Sequence, residues 1–421
     1  MIKIKLLALL FFFSFKGFTQ APPVQWQKTI GGTNNDYTTC IQQTSDGGYI
    51  VAGYTNSTNG DVTGNHGSYD YWIIKLNSTG TIDWQKTFGG TGDDYAYSIQ
   101  QTTDGGYIVA GYTKSNDGDV TNFHGGDGDF WVVKLLSNGS IQWQKAYGGI
   151  DEDNAYSIQQ TNDGGYIVAG HSWSNNGDVL VNNGLADCWI LKLDGSGTIQ
   201  WQKTIGGIDY ETIYSAKQTS DGGYVIGGIV NPTPSSPSGS NCFVIKMDDL
   251  GTIIWLKTYG GTNADSIASI EQTPDGGYVM ASYSSSTNGD VTGNHGGYDC
   301  WITKIDGLGN IIWQKTYGGT GTDVAFDVKP VNGGYIVLGF TDSINGDVTG
   351  GHGNRDCWVV KINEVGAILW QKTLGGTAID SGRSIVATND GGYAIAGYSE
   401  SINGDLTSNH GGGDCWIIKL G

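Results

Sequence analysis

Hydrophobic and polar residues alternate in blocks along most of the chain. Short runs rich in β-branched and aromatic side chains are separated by segments rich in glycine, aspartate and asparagine. Between Ile267 and Gly318 the runs read IASIEQT, GYVMASYS, CWITKID and NIIWQKTYG. Runs of this composition, bounded by turn residues, predict β-strands. We therefore predict four strands in this stretch, which we call a, b, c and d in chain order.

The same four runs recur along the chain. Their clearest marker is the tryptophan of strand d, which recurs at intervals of 54 to 59 residues. The strand d tryptophans are Trp26, Trp84, Trp143, Trp201, Trp255, Trp313 and Trp370. Repetition at a period of tens of residues indicates a solenoid, an array or a propeller. The sequence predicts seven such units.

The links between the runs predict antiparallel pairing. The a–b link reads TxDGGY or a close variant in almost every unit, and Asp-Gly and Gly-Gly supply the positive φ of a tight hairpin. The c–d link is another short glycine turn, whereas the b–c and d–a links are longer and polar. In an antiparallel a-b-c-d sheet, the b–c and d–a loops share one side. We call this side the long-loop face.

Strands that are apolar on both faces predict stacked sheets. Tyr278–Ala281 and Cys300–Ile302 are almost uninterrupted apolar runs, and seven sheets stacked around an axis form a β-propeller. The chain offers a lone strand d at Val24–Ile30 and ends after a strand c at Cys415–Leu420, so pairing the two closes the ring. We predict an all-β, seven-bladed propeller of four-stranded antiparallel blades. The predicted propeller domain is 21–421, with a closing strand at 21–30 and blades at about 37–88, 95–147, 155–205, 212–259, 266–317, 324–374 and 381–421.

The first twenty residues have the pattern of a secretory signal peptide. Lys3 and Lys5 precede an apolar run from Leu6 to Phe15, and a short polar stretch follows it. A run of ten residues is too short for a membrane-spanning helix, which needs roughly 20. We expect residues 1–20 to be removed after Gln20. The mature chain is then a monomer without a membrane span, exported across the inner membrane to the periplasm or the exterior.

The charge of the chain restricts its partners. The net charge is -19, and removal of three lysines with residues 1–20 leaves -22. Phosphate contacts depend on lysine and arginine, so this balance opposes nucleic acid or an anionic membrane surface as a partner. It is compatible with cations, with a neutral polysaccharide or with a protein partner.

The six cysteines do not form the pattern of a disulfide framework. Five occupy the same position of successive units, where the Cα atoms are expected to lie beyond the roughly 7 Å that a disulfide tolerates. They are Cys188, Cys242, Cys300, Cys357 and Cys415. Tyr71 and Phe130 take this position in the first two units. We therefore interpret these cysteines as buried packing residues.

The repeats resemble a known group of proteins. Phrases such as TxDGGYIVAGYT, NGDVTGNHGGxDCWIIKLD and GxIxWQKTYGG over residues 24–421 resemble those of secreted β-propeller repeat proteins of Bacteroidetes. The segment Lys192–Lys203 is also similar to the repeat of quinoprotein-type propellers, in which a tryptophan docks each blade onto the next. The first resemblance implies fold and export. The adjacent cysteines of quinoprotein dehydrogenases are absent here, so no cofactor is implied.

Carboxylates and histidines of the long-loop face are candidate ligands. One aspartate per loop comes from the GDV or GDL phrase and another precedes strand c, and calcium prefers such oxygen ligands. The candidate calcium ligands are Asp61, Asp70, Asp119, Asp129, Asp290, Asp299, Asp347, Asp356, Asp405 and Asp414. The competing interpretation is that these side chains cap their own turns. The histidines of the HG phrase, one per blade in five blades, are a weaker candidate for metal binding.

A recognition site on a repetitive scaffold is expected where the repeats differ. The third unit has His171 and Trp173 where other units have tyrosine and a polar residue. The fourth replaces its NGDVTG loop with a proline-rich segment at 231–241. These changes predict a notch beside an exposed aromatic ring, with Asp178 and Asp187 from the same loop as further candidates. An aromatic ring with nearby aspartate and asparagine suits sugars.

The sequence contains no recognisable catalytic motif. It has no GxSxG, HExxH, CxxC or P-loop phrase. We therefore favour a secreted, non-catalytic binding or scaffold module for a glycan or a protein. The alternative is a secreted carbohydrate-active enzyme, an endoglucanase-like glycoside hydrolase using a pair of aspartates on the same face.

Overall fold

The computed structural model describes residues 20–231, 239–406 and 408–421. The predicted signal peptide lies almost entirely outside these residues. All regular secondary structure in the described part of the chain is β-strand. Within that part, no helix is long and apolar enough to cross a membrane.

Twenty-eight strands follow one another along the described residues. The strands up to the end of blade two are β1 Val24–Ile30, β2 Asp36–Gln43, β3 Tyr49–Thr55, β4 Asp70–Leu76, β5 Ile82–Phe88, β6 Asp94–Gln101, β7 Tyr107–Thr113, β8 Asp129–Leu135 and β9 Ile141–Tyr147. Blades three and four contain β10 Asp153–Gln160, β11 Tyr166–Ser172, β12 Asp187–Leu193, β13 Ile199–Ile205, β14 Tyr210–Gln218, β15 Tyr224–Asn231, β16 Asn241–Met247 and β17 Ile253–Tyr259. The remaining strands are β18 Asp265–Gln272, β19 Tyr278–Ser284, β20 Asp299–Ile305, β21 Ile311–Tyr317, β22 Asp323–Val331, β23 Gly334–Thr341, β24 Asp356–Ile362, β25 Ile368–Leu374, β26 Asp380–Ala387, β27 Tyr393–Ser399 and β28 Asp414–Leu420.

The strands form seven antiparallel four-stranded sheets, as the sequence predicts. Six sheets have the order a-b-c-d along the chain, from β2-β3-β4-β5 to β22-β23-β24-β25. The seventh sheet has the order β1-β28-β27-β26, so β1 supplies its strand d. Ile30 pairs with Cys415 and Thr29 with Trp416 across this joint. The predicted ring closure is therefore confirmed.

The hydrophobic core lies between blades. Each of the seven buried apolar clusters combines residues from two adjacent blades, including one that joins blade seven to blade one. The five repeated cysteines are buried, unpaired and part of these clusters. Stacked sheets of this kind explain why strands b and c are buried on both faces.

The two tryptophan series have different environments. The strand c tryptophans are completely or almost completely buried, as shown by Trp301. Six of the seven strand d tryptophans are only half-buried, and the exception is Trp370. Trp84 shows their role, because its ring lies against Gly139 and Tyr107 of the next blade. Both series pack between blades, but strand d contributes to the rim of each interface.

Strand a lies innermost in every blade. The a strands of neighbouring blades contact one another around the whole ring. Each a strand also contains a β-bulge, which leaves one residue unpaired and re-aims its side chain. The seven bulge residues, which we call the channel ring, are Thr39, Tyr97, Tyr156, Tyr214, Ala268, Phe326 and Arg383. They lie near the middle of the innermost strands, around the central channel.

Candidate functional site

The aspartates of the GDV or GDL phrase tie six of the seven blades to the preceding one. The backbone N–H of Gly31 donates to the Asp61 carboxylate at 3.2 Å, and Gly375 donates to Asp405 at 3.0 Å. The same bond recurs at the other four positions, Asp119, Asp178, Asp290 and Asp347, at 3.2 to 3.4 Å. Each of these side chains thus caps the d–a link that leads into its own blade.

The aspartates before strand c cap the b–c loop. Each is buried and accepts the backbone N–H of a residue four or five positions earlier, as His66 donates to Asp70 at 2.8 Å. The imidazole Nδ1 of the same histidine lies 2.7 Å from the Asp70 carboxylate. The same arrangement caps Asp129, Asp299 and Asp414, while His352 caps Asp356 through its backbone and Asn183 caps Asp187. Turn capping therefore accounts for the histidines of the HG phrase.

Carboxylates also meet in pairs between blades. Asp129 of blade two and Asp153 of blade three are fully buried, and both approach the Cα of Gly148. Burial is the main cause that raises the pKa of Asp129 to about 6 and that of Asp153 to about 7. In blade four Asn241 takes the place of the first carboxylate, beside Asp265. The glycine backbone fills the space between each pair.

The candidate calcium ligands thus make hydrogen bonds within the loops. Among the described residues, no group of three or more His, Cys, Asp or Glu is arranged to hold a metal ion. Calcium binding by the long-loop face stays a prediction.

His171 and Trp173 line a depression of about 480 Å³ on the long-loop face. Tyr156 and Tyr210 form its aromatic wall, with the Trp173 and Tyr210 ring centroids 5.9 Å apart. Trp173 is 37% exposed. Acidic and loop residues complete the lining, namely Asp127, Asp151, Glu152, Gly184 and Leu185. We call this depression the Trp173 pocket.

His171 is fixed in the wall of the pocket. It is 2% exposed, and its Nδ1 lies 3.0 Å from Oγ1 of Thr212 in the next blade. Its Nε2 lies 3.6 Å from Oε1 of Glu152. This proximity lowers the pKa of Glu152, which is therefore ionised at neutral pH. The pocket combines a fixed imidazole with a carboxylate and an open indole.

The structure separates the four predicted binding residues. Asp178 lies 3.5 Å from Nε2 of His124, towards blade two, and Asp187 is fully buried beneath its loop. Neither lines the Trp173 pocket. The proline-rich segment of blade four lies outside the described residues between positions 232 and 238. Only His171 and Trp173 of the four meet at one site.

An aromatic surface around the channel was not predicted. Tyr37 and Tyr398 stack with ring centroids 4.6 Å apart, and ring contacts continue from Tyr37 through Tyr54 to Tyr95. Tyr97 and Tyr156 of the channel ring follow, with ring centroids 5.0 Å apart. Tyr156 in turn contacts His171 at 5.7 Å and Tyr214 at 5.2 Å. We call this surface, together with the channel ring, the channel mouth.

A charged network occupies the channel below the mouth. Glu271 lies 2.6 Å from the ammonium of Lys329 and 3.4 Å from that of Lys217. These two lysines overcome the effect of burial and lower the pKa of Glu271 to about 2. Asp327 lies 3.0 Å from Lys329 and accepts the backbone N–H of Ile385 in the next blade. This network joins blades four to seven across the channel.

The fold and this site define a seven-bladed β-propeller with an aromatic channel mouth and a side pocket. No family model matches the chain. The chain is 23% identical over 426 residues to the regulatory protein FlaEY of Caulobacter vibrioides, over 88% of this chain and 43% of FlaEY. The chain thus spans less than half of that relative. The resemblance to secreted Bacteroidetes proteins stays a prediction.

Two solved structures are among those similar to this chain. The WD40 domain of Neurospora crassa Pan2 has a TM-score of 0.49 and 13% identity, with 93% of this chain and 95% of that chain covered. Sqt1 of Chaetomium thermophilum has a TM-score of 0.44 and 9% identity, with 94% and 99% covered.

Proposed function

We propose that this chain is an exported, non-catalytic binding propeller that holds a glycan in the Trp173 pocket. The observation that carries the proposal is the open indole of Trp173 beside Tyr210, with carboxylates on the same wall. Other blades have small or charged residues at the position of Trp173, such as Lys114 and Ser285. The pocket is therefore a local departure from the repeat.

The chemistry of the pocket suits a sugar ring. An aromatic face packs against the apolar C–H surface of a pyranose, and carboxylates accept hydrogen bonds from its hydroxyls. Glu152 is available for this role because its lowered pKa keeps it ionised. Tyr156 and Tyr210 add further ring area at a small cost in side-chain entropy.

The alternative function is a glycoside hydrolase. Such an enzyme needs one accessible carboxylic acid with a raised pKa and a second carboxylate across the substrate. The raised pKa values of Asp129 and Asp153 belong to fully buried groups between blades, and that of Glu152 is lowered. The pattern favours binding over hydrolysis. Release of reducing ends from a polysaccharide, lost in Glu152→Gln, would reverse this preference.

The test is binding of residues 21–421 to a panel of immobilised glycans and insoluble polysaccharides, with calcium and with EDTA. We expect binding that Trp173→Ser reduces about two- to tenfold, because contact with an aromatic ring is worth about 0.5–1.5 kcal/mol. Serine is the residue at the equivalent position of blade five, so the fold tolerates it. Leu180→Ser is the matched control, because Leu180 is exposed in the same b–c loop outside the pocket.

The outcomes separate the candidate partners. Calcium-independent glycan binding that depends on Trp173 supports the proposal. Binding that EDTA abolishes while Trp173→Ser leaves it unchanged would assign recognition to the loop aspartates. Absence of binding to any glycan would overturn the proposal and leave a protein scaffold as the better account.

A further inference from the structure

We propose that Arg383 binds a carboxylate of an acidic sugar at the channel mouth, a deepening that rests on the glycan-binding function proposed above. Arg383 is the channel-ring residue of blade seven, where other blades carry Thr39, Ala268 or an aromatic ring. The ligand class is a uronic acid, carried within or at the end of a glycan.

Arg383 is a charged group without a charged partner. Its guanidinium lies 4.2 Å over the ring of Phe326 and makes no hydrogen bond or ion pair with any residue that the structure describes. Its side chain is exposed to the channel. Arg355, the other arginine of the chain, instead pairs with Asp342 at 3.2 Å and lies 3.8 Å over Phe340. A guanidinium usually satisfies its five N–H donors with carboxylates or carbonyls.

The surroundings of Arg383 offer hydrogen-bond donors. Tyr37, Tyr54 and Tyr283 are near enough to interact electrostatically with the guanidinium. Burial is the main cause that raises the pKa of Tyr54 to about 12, so its hydroxyl keeps its proton at neutral pH. A carboxylate seated on the guanidinium would accept two parallel N–H bonds.

The mouth also has a charge asymmetry that orients a ligand. Asp127, Asp151 and Glu152 lie in the Trp173 pocket on the side of blades two and three, whereas Arg383 belongs to blade seven. A sugar carboxylate is therefore repelled from the pocket and attracted to the opposite wall. The aromatic surface connects the two sides through Tyr210, His171, Tyr156 and Tyr97.

The overall charge of the chain opposes a long or densely charged polyanion. A chain of net charge -19 repels a polyanion such as nucleic acid. A single guanidinium beside an aromatic ring still favours one planar carboxylate, because bidentate pairing is short-ranged. A short acidic oligosaccharide fits these requirements better than a densely phosphorylated ligand.

The experiment compares trigalacturonic acid with its neutral methyl ester by calorimetry on residues 21–421 in EDTA. We expect the acid to bind at least about ten times more tightly than the ester, as for a hydrogen bond to a charged group. Arg383→Thr, which introduces the residue of blade one, should remove this difference and leave the affinity for the ester unchanged. Arg355→Thr is the matched control and should keep the difference.

The readouts distinguish this inference from the proposed function. Equal affinity of the unmodified chain for acid and ester would overturn the role of Arg383 while leaving glycan binding intact. Loss of ester binding in Arg383→Thr would also overturn the inference. The residue would then maintain the shape of the channel mouth rather than pair with a carboxylate. Arg383→Lys tests bidentate pairing and should retain only part of the preference for the acid.

Two further results bear on the ligand class. Absence of binding for both sugars, together with glycan binding by the panel, would overturn the uronic acid assignment alone. Binding of a short peptide that depends on its free C-terminal carboxylate and on Arg383 would replace the sugar with a protein partner. Sugar binding that high salt weakens for the acid and not for the ester would support the inference.

Discussion

A single residue distinguishes the turn of blade six. The strand c lysine of every blade is buried, and in the other six blades its ammonium pairs with the aspartate of the TxDGGY turn. These pairs are Lys75–Asp46, Lys134–Asp104, Lys192–Asp163, Lys246–Asp221, Lys304–Asp275 and Lys419–Asp390, at 2.8 to 3.0 Å. In blade six Asn332 takes the aspartate position, and Lys361 donates to its carbonyl at 3.0 Å. Burial without a carboxylate lowers the pKa of Lys361 to about 8.

We predict that Asn332→Asp stabilises the protein at neutral pH. The pKa of Lys361 is lowered, so its charged form costs stability below pH 8, and this cost diminishes as pH rises from 8 towards 10.5. A turn carboxylate removes the cost, by about 1 kcal/mol after allowance for solvent screening. Urea unfolding at pH 7 and pH 10 measures the gain, which should be larger at pH 7.

The reciprocal change in blade two is the control for this prediction. Asp104→Asn removes the carboxylate that pairs with Lys134 and should destabilise the protein by a similar amount at pH 7. A gain from Asn332→Asp that is the same at both pH values would show that the turn backbone, rather than the ion pair, is responsible.

Single residues were predicted best where one position repeats in every blade. The repeated cysteines are buried packing residues, because each stands where Tyr71 or Phe130 stands in other blades. The repeat alone did not separate the fully buried strand c tryptophans from the half-buried strand d series. Both positions are equally regular in sequence, and their difference arises from distance to the outer edge of the blade. Trp313 of strand d, for example, donates its indole N–H to the backbone carbonyl of Glu364 in the next blade.

At the scale of the element, most junctions between blades bring two acidic strand ends together. Asp129 begins strand β8 and Asp153 begins strand β10, and both are fully buried at one junction. One carboxylate oxygen of each has no hydrogen-bond partner among the described residues. Charging both groups is therefore costly, as their raised pKa values indicate.

We predict that Asp129→Asn stabilises the protein at pH 8 and has little effect at pH 4. The pKa of Asp129 is raised to about 6, so its contribution to stability is greatest below the unfolded value of 3.8 and is lost as pH rises through 6. The neutral amide avoids this loss, worth roughly 1–2 kcal/mol. Denaturant unfolding at pH 4, 6 and 8 measures the change.

Blade four supplies the matched control. Asn241 already occupies the equivalent position beside Asp265, so the amide fits this junction. Asn241→Asp should produce the opposite effect, with stability lost between pH 4 and pH 8. Parallel stability curves for the original chain and Asp129→Asn would contradict the account.

The bulge of strand a explains why the channel mouth was missed. Side chains alternate between faces along a regular strand, so alternation alone would place the side chains of strand a at the two blade interfaces. The bulge adds one residue that belongs to neither face of the alternating pattern. The side chain of this residue faces the channel. Its variation from Tyr97 to Ala268 to Arg383 is visible in the sequence, but only the strand register shows that these residues share one position.

At the scale of the whole molecule, the architecture could be predicted from the sequence because independent features of the repeat indicate the same fold. Turn residues, strand lengths and the period of the repeat all indicate seven four-stranded blades, and the termini indicate how the ring closes. The site could not be predicted to the same extent. Arg383 and Trp173 are brought to one face by the ring, although more than two hundred residues separate them in sequence.

Ring closure by β1 should determine the stability of the whole propeller. Without β1, the c strand β28 becomes an open edge, and Trp26 no longer covers Gly80 and Tyr49 of blade one. An exposed flat edge strand also promotes association between molecules. We predict that residues 31–421 unfold at least 10 °C lower than residues 21–421 and aggregate, as followed by thermal denaturation and size-exclusion chromatography.

A permuted chain tests whether closure itself is responsible. Moving residues 21–30 to the C-terminus behind a DGSG turn, the link that joins β12 to β13 in blade three, restores a strand d beside β28 within one hairpin. Its backbone pairing should match that of the original joint, in which Gly421 donates to the carbonyl of Pro23 at 2.9 Å. We expect this variant to recover most of the lost stability and the glycan binding of the original chain. If it stays as unstable as the truncated chain, β1 acts through its own position at the N-terminus rather than by closing the ring.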